Sequence, residues 1–242
     1  MSTPESIENR WDILYRDYPE VYEAFSSTPY RPTIFERLPE IVTLSGQSIA
    51  DVGSGTGKSS FALASFALRV IGIERERAML RKAQEFSGGD AADRVMFLAG
   101  DALSLPLADR SVDVVTAITL ALYPPDQYRT FISEAFRIAR KQVVYVGIPP
   151  GWYGGELYDV IEDFEKVDDI VDRIFINEFG FEHQDVESIQ DYGNVEHIVN
   201  TYGFIFGKKV IEHLRRENKT TIRWMFRVYW KDARDDELAR ME

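Results

Sequence analysis

Three alternating glycines, Gly53, Gly55 and Gly57, stand in the run Asp51-Val-Gly-Ser-Gly-Thr-Gly57. Glycine at such positions permits a tight turn and lets a ligand approach the main chain closely. Nucleotide-type ligands are held by loops of this kind, and several spacings compete. A phosphate-binding P-loop needs a glycine five positions before Gly57-Lys58-Ser59, and Val52 stands there. A dinucleotide fingerprint needs G-x-G-x-x-G, and the spacing here is one residue short. That fingerprint also needs an acid about 20 residues further on. Glu74 meets this condition, so a nicotinamide-type dinucleotide stays open as an alternative.

The elements that must position this loop read from periodicity. Residues 47–52 form a short apolar strand, and a helix follows from about 57 to 68. Residues 69–74 are a second strand ending in an acid, and 75–86 a helix stopped by Ser87-Gly-Gly-Asp90. Residues 95–99 are a third strand leading to Gly100-Asp101, 112–118 a fourth, 126–139 a helix and 142–148 a fifth strand. Near-continuous apolar strands alternating with helices predict an α/β fold, a doubly wound and mostly parallel sheet covered on both faces. Ligands of such sheets lie beyond the carboxyl ends of the strands. Asp51, Glu74 and Asp101 all fall at such ends.

The motifs, taken in order, resemble those of the class I S-adenosylmethionine-dependent methyltransferases. Asp51–Gly57 resembles their first motif, an acid and an aliphatic residue before G-x-G-x-G. Ile71-Gly-Ile-Glu74 resembles the second-strand motif, and Phe97-Leu-Ala-Gly-Asp101 the third. Leu105-Pro106 with Asp109-Arg-Ser-Val-Asp113 resembles the linker and fourth strand of the small-molecule branch, similar to the ubiquinone and menaquinone methyltransferases. The helix over 131–140, with Glu134 and Arg137, resembles the one before strand five. Two departures stand out. Leu120-Ala-Leu-Tyr123 replaces a frequent histidine pair, and Ala139-Arg-Lys-Gln142 replaces the usual Lys-Pro-Gly-Gly turn.

The resemblance implies a seven-stranded Rossmann-like sheet and S-adenosyl-L-methionine as cofactor. It implies that Glu74, with Arg75 beside it, takes the ribose hydroxyls in a charge-assisted bidentate contact. Asp101 would accept from the adenine amino group, with the Ala102 main chain at the ring edge; a turn aspartate is the alternative. Gly53, Ser54, Gly55, Thr56 and Gly57 would wrap the ligand. Asp51 either orders that loop or lies at the ammonium end of the ligand. Ala117 and Ile118 are expected to face the cofactor after strand four. Arg31 is a candidate for its carboxylate, with a plain surface arginine as the alternative. The expected organisation is one methyltransferase domain over 1–242. It comprises a helical cover (1–44), the cofactor-binding core (45–150), a lid and acceptor region (151–220) and a last sheet strand (221–230).

Outside the core, residues 7–28 read as helical, with Ile7, Trp11, Leu14, Tyr15, Tyr18, Val21, Tyr22 and Phe25 at helical spacing and a break at Pro19. A long acidic-faced helix is expected around 156–175, a strand over 181–189, and helix over 194–216 interrupted near Gly203 or Gly207. Residues 221–230 alternate as a half-buried strand.

No residue reads as catalytic. His183, His197 and His213 sit in no recognisable catalytic or metal motif, and no metal is expected. Tyr123, Trp152 and Tyr153 follow strand ends and are expected to shape the acceptor pocket. The 242 residues lack cysteine, which removes disulfides and thiol chemistry and fits a cytoplasmic enzyme. A net charge of −12 argues against nucleic acid as partner. The first ten residues are too polar for a signal peptide, and no stretch nears the roughly 20 apolar residues of a membrane helix. The expected partner is a small-molecule methyl acceptor. A non-catalytic cofactor-binding module is the other alternative.

Overall fold

A computed structural model describes residues 14, 17–28, 30–31, 34–85, 93–161 and 169–233. The expected helical positions Ile7, Trp11 and Tyr15, the turn at 87–90 and the charged tail lie outside these described residues. The strands are β1 (Tyr30–Arg31), β2 (Ser48–Val52), β3 (Arg69–Glu74), β4 (Val95–Ala99), β5 (Val112–Ile118), β6 (Ala139–Gly147), β7 (Glu182–Asp191) and β8 (Thr221–Asp232). The first helices are α1 (Pro19–Ser27), α2 (Ile34–Ile41), α3 (Lys58–Ala64), α4 (Arg77–Glu85) and α5 (Gln127–Ile138). The chain divides into two compact units, a larger one (Ile34–Pro150, Val167–Val186, Met225–Glu242) and a smaller one (Met1–Thr33, Gly151–Lys166, Glu187–Trp224).

In the larger unit seven strands lie in the order β7-β8-β6-β5-β2-β3-β4. β2, β3, β4, β5 and β6 pair in parallel, and β8 runs antiparallel to β6. All five residues of β2 are buried: Ile49, Ala50 and Val52 pack in the interior, and Ser48 and Asp51 are buried with hydrogen-bond partners. α5 turns Tyr128, Phe131, Ile132, Ala135, Phe136 and Ile138 inward at helical spacing. They join Ala50, Val52, Ile73, Val115, Ala117, Val143 and Tyr145 in one core. From β2 the chain winds outward through β3 to β4, then returns to place β5 on the other side of β2. The carboxyl ends of β2 and β5 therefore flank the topological switch point, where ligands of such sheets bind.

Ala139-Arg-Lys-Gln142 forms no distal loop. α5 passes straight into β6 at Ala139. Arg140 Nε donates to Asp113 at 3.3 Å, and its Nη2 to Ser48 Oγ at 3.1 Å. The Ser48 main-chain N–H and hydroxyl also donate to Asp113, at 2.9 and 2.7 Å. Together these contacts hold the carboxyl well below the usual aspartate range against the opposing effect of its burial.

Of the expected long helix over 156–175, residues 162–168 lie outside the described residues. Gly155–Leu157 is a single 3₁₀ turn, and helix α6 covers Ile170–Asp172 and widens into π-type turns over Arg173–Glu178. Gly154 and Gly155, both at positive φ, shape the first piece into a turn. In β8, Ile222, Trp224, Phe226 and Val228 alternate inward, and Tyr229 is buried as well. The Tyr229 hydroxyl donates to Asp172 at 2.5 Å, and Arg227 pairs with Asp172 and Asp185.

The smaller unit is organised by Gln190, which is fully buried. Its amide donates to the Phe25 carbonyl at 2.8 Å and accepts from Tyr192 Oη at 2.7 Å and Trp224 Nε1 at 3.0 Å. Here β1 pairs antiparallel with the far end of β7, Tyr30 against Gln190 and Arg31 against Ile189. The helical stretch α7 (Val195–Ile198, continuing through Val199–Gly203 to Phe204–Phe206) breaks at Gly207, at φ 98°, before α8 (Lys208–Arg216).

Candidate cofactor site

Between β2 and α3, Gly53, Gly55 and Gly57 take φ of 73°, 54° and 86°. These left-handed values are open to glycine and costly to other residues. The loop is stitched to the end of β3, since the N–H groups of Gly53 and Ser54 both donate to the Ile73 carbonyl, at 2.8 and 3.1 Å. The three glycines differ in what surrounds them. A Cβ on Gly53 would stand 2.8 Å from Leu120 Cδ1, and one on Gly57 would stand 2.6 Å from Phe97 Cζ. A Cβ on Gly55 would meet nothing within 4 Å. Gly55 thus presents bare main chain to open space.

Asp51 is completely buried. It accepts from Ser59 Oγ at 2.6 Å, Ser60 Oγ at 2.7 Å and Thr116 Oγ1 at 3.2 Å. Burial lifts this carboxyl above the ordinary aspartate value, the three hydroxyls pull it back, and the Glu74 charge pushes it up again. Asp51 therefore ties the loop to α3 and β5.

Glu74, nearly buried, spans the same loop. Its Oε2 accepts from the Gly55 N–H at 2.9 Å and its Oε1 from the Glu76 N–H at 2.7 Å. Each carboxylate oxygen has two lone pairs, so both can accept a further hydroxyl. Arg75 is exposed and sits beside Glu76 at 3.3 Å.

Asp101 Oδ1 accepts from the Leu103 N–H at 2.9 Å, making the turn that follows β4. The next stretch is fixed from α5. Arg137 donates to the carbonyls of Leu105 and Leu107, at 2.9 and 2.8 Å, and to Asp109 at 2.9 Å. Glu134 receives Arg137 and the Leu105 N–H.

Ala117, expected to face the cofactor, is fully enclosed in the core. Ile118 is partly exposed at the strand end. Arg31 lies in β1 of the smaller unit, while the glycine loop belongs to the larger one. Within the smaller unit Trp152 lies under the Arg223 guanidinium, 5.6 Å from its ring centre, and Tyr153 packs edge-on against Phe206. Tyr123 is 74% exposed. His197 is anchored through Nδ1 to the Tyr192 carbonyl at 2.9 Å, which gives it a structural task.

An adenosyl cofactor can be tested against this chemistry. The Ser54 hydroxyl is buried with no partner, a condition that costs about 1–3 kcal/mol until a ligand or water satisfies it. It lies in the same loop as the bare face of Gly55. The acceptors of Glu74 stand one strand away. A polar ligand carrying hydroxyls fits these residues.

Residues 49–142 match the sequence model of the methyltransferase domain family. Over these residues the chain is similar to methyltransferase domains. A demethylmenaquinone methyltransferase of Thermobifida fusca is 35% identical over 56% of this chain and 54% of its own length. An O-methyltransferase of Aspergillus nomiae is 34% identical over 53% of this chain and 57% of its own length. This chain thus spans about half the length of these curated relatives. A Lactococcus lactis demethylmenaquinone methyltransferase aligns over 83% of this chain and 82% of itself, at 24% identity. Among solved structures, a candidate methyltransferase of an antibiotic-biosynthesis pathway from Anabaena variabilis superposes with a TM-score of 0.59 at 19% identity, covering 85% of this chain and 99% of that one. An S-adenosylmethionine-dependent methyltransferase from Aquifex aeolicus gives 0.51 at 16% identity, covering 92% and 98%. At such identities the superpositions establish the fold.

Sequence reasoning missed several residues of this domain's site. Ser59 and Ser60 hold Asp51; Ser59 is visible in the Lys58-Ser59 pair weighed with the P-loop, and Ser60 has no signal. Thr116 reaches Asp51 from the neighbouring strand, where spacing along the chain gives no cue.

Proposed function

We propose that this chain transfers a methyl group from S-adenosylmethionine to a small-molecule acceptor. One observation carries the reading: the bare, left-handed main chain of Gly55 faces open space while its N–H is held by Glu74. When bound, S-adenosylmethionine supplies an electrophilic methyl on a cationic sulfonium. In this proposal Glu74 accepts the ribose hydroxyls on its remaining lone pairs, and Asp101 takes the adenine amino group. Ser54 gains its missing partner. The protein's main work is then positioning and exclusion of water, since the leaving group needs no further activation. No general base is assigned.

The names of the relatives make a quinone or phenol the first acceptor class to try. The acidic surface disfavours nucleic acid. No helix among the described residues is long and apolar enough to cross a membrane, and the lack of cysteine fits work in the cytoplasm.

Calorimetry with S-adenosylmethionine and with NAD tests the cofactor, followed by release of S-adenosylhomocysteine on a panel of quinols, phenols and amines. Binding of S-adenosylmethionine with turnover on one class is expected. Binding of NAD alone would sink the proposal, and cofactor binding without turnover on any acceptor would favour a non-catalytic module.

A further inference from the structure

We propose that Tyr128 and Tyr145 are positioning residues of the cofactor site, their hydroxyls holding the Leu120 carbonyl so that the Leu120 side chain is seated against Gly53. The inference rests on the methyltransferase reading above and extends it to the segment that leaves β5. That segment and the glycine loop leave neighbouring strands at the switch point. Its first residue, Thr119, is a β-branched side chain at φ 54°, a conformation that persists only where its surroundings enforce it. The Thr119 N–H donates to the Val146 carbonyl at 2.7 Å.

Beyond Thr119 the main chain is irregular, and side chains satisfy its polar groups. Tyr128 Oη and Tyr145 Oη each lie 2.9 Å from the Leu120 carbonyl oxygen and 3.1 Å from one another. The Leu122 N–H donates to Tyr128 Oη at 3.3 Å. Both rings are buried, at 5% and 3% exposure. Burial pushes the pKa of both phenols above the ordinary tyrosine value, so each hydroxyl keeps its proton as a donor. Tyr145 is itself stacked on Phe175, with ring centres 4.6 Å apart. The hydroxyls come from α5 and β6, two rigid elements of the core, and converge on one carbonyl of a loop. Leu120 then stands 2.8 Å from where a Gly53 side chain would begin. The path runs from two hydroxyls through one carbonyl to the wall of the glycine loop.

The test uses the full chain with Tyr128→Phe and Tyr145→Phe, each alone and in a Leu120→Ala background. Amide exchange is read at Leu122, with the β4 amides as reference, and S-adenosylmethionine affinity by calorimetry. Tyr128→Phe should speed Leu122 exchange by about tenfold and leave β4 unchanged. Each Tyr→Phe change should weaken cofactor binding about fivefold when Leu120 is present. The same change should cost under about twofold in Leu120→Ala, because the effect passes through that side chain. Equal losses in both backgrounds, or unchanged Leu122 exchange, would overturn the inference. A native chain that binds no S-adenosylmethionine would defeat the functional reading, and the exchange measurement would still decide the clamp.

Discussion

Replacing Gly55 and Gly57 with alanine separates a ligand-facing glycine from a packing glycine. Both sit at positive φ, 54° and 86°, so each alanine costs about 1–2 kcal/mol in the left-handed region. At Gly57 the new Cβ also lands 2.6 Å from Phe97 Cζ and 3.2 Å from Ala83 Cβ, and overpacking of that kind adds about 1–3 kcal/mol. Gly57→Ala should therefore lose about 2–5 kcal/mol of stability. Gly55→Ala meets nothing within 4 Å, so its stability loss stays near the backbone cost alone. Its methyl instead fills the face offered to the cofactor, and affinity should fall at least about tenfold, some 1.4 kcal/mol. Gly46→Ala is the control, with φ 69°, open surroundings and a position before β2, at the opposite end of that strand from the loop. It should match the stability loss of Gly55→Ala and leave affinity untouched. Urea denaturation gives the first quantity and calorimetry with S-adenosylmethionine the second. If Gly55→Ala binds as tightly as Gly46→Ala, the open face is not where the cofactor lies.

Glu74→Gln keeps one acceptor but turns an amide N–H₂ toward a main-chain N–H; it should cost about 1.5–3 kcal/mol in cofactor affinity, and unchanged calorimetry would remove Glu74 from the ribose. The Asp113 carboxyl is held below its ordinary value of 3.8, so its contribution is complete above that pH and is lost as pH falls toward the lowered folded value. Asp113→Asn should be about 1.5–3 kcal/mol less stable than the native chain at pH 7, the gap closing in acid; an equal gap at pH 7 and pH 2.5 would refute the assignment. Ser59→Ala with Ser60→Ala leaves buried Asp51 with Thr116 alone among its three hydroxyl donors and should destabilise by about 3 kcal/mol at pH 7. Because the folded Asp51 value is raised, the ionised form is the penalised one, and the loss should shrink at lower pH. Urea midpoints that fall equally at pH 5 and pH 7 would contradict that.

The parts of the fold that read directly from sequence are those whose burial is two-sided. β2, β5 and β6 announce themselves as apolar runs because helices cover both faces. Gly53, Gly55 and Gly57 are legible because positive φ excludes most other residues. Asp51 and Glu74 are legible by position, but their tasks are not. Asp51 is set by three hydroxyls, one of them 65 residues away, and Glu74 by the Gly55 amide 19 residues back. The start of the helix expected over 156–175 shows the opposite failure. Its apolar residues keep helical spacing, yet Gly154 and Gly155 at positive φ impose a turn that periodicity cannot register. Ala117 misled for a related reason: strand ends near the site also carry the core, and one small apolar residue suits either surrounding.

Phe97 fills space left by two missing side chains. A Cβ on Gly72, its partner across the β3–β4 ladder, would stand 2.5 Å from the ring, and one on Gly57 would stand 2.6 Å from it. The ring also meets Phe61 edge-on at 5.7 Å. Positions 57, 72 and 97 therefore cannot drift separately. An alanine at Gly57 or Gly72 is blocked while the ring is in place. A smaller residue at 97 opens a cavity there, and a methyl at 57 would still meet the left-handed φ of 86° and one at 72 would still meet Ser60 Oγ at 2.9 Å. Related chains that keep this packing should carry the aromatic together with both glycines.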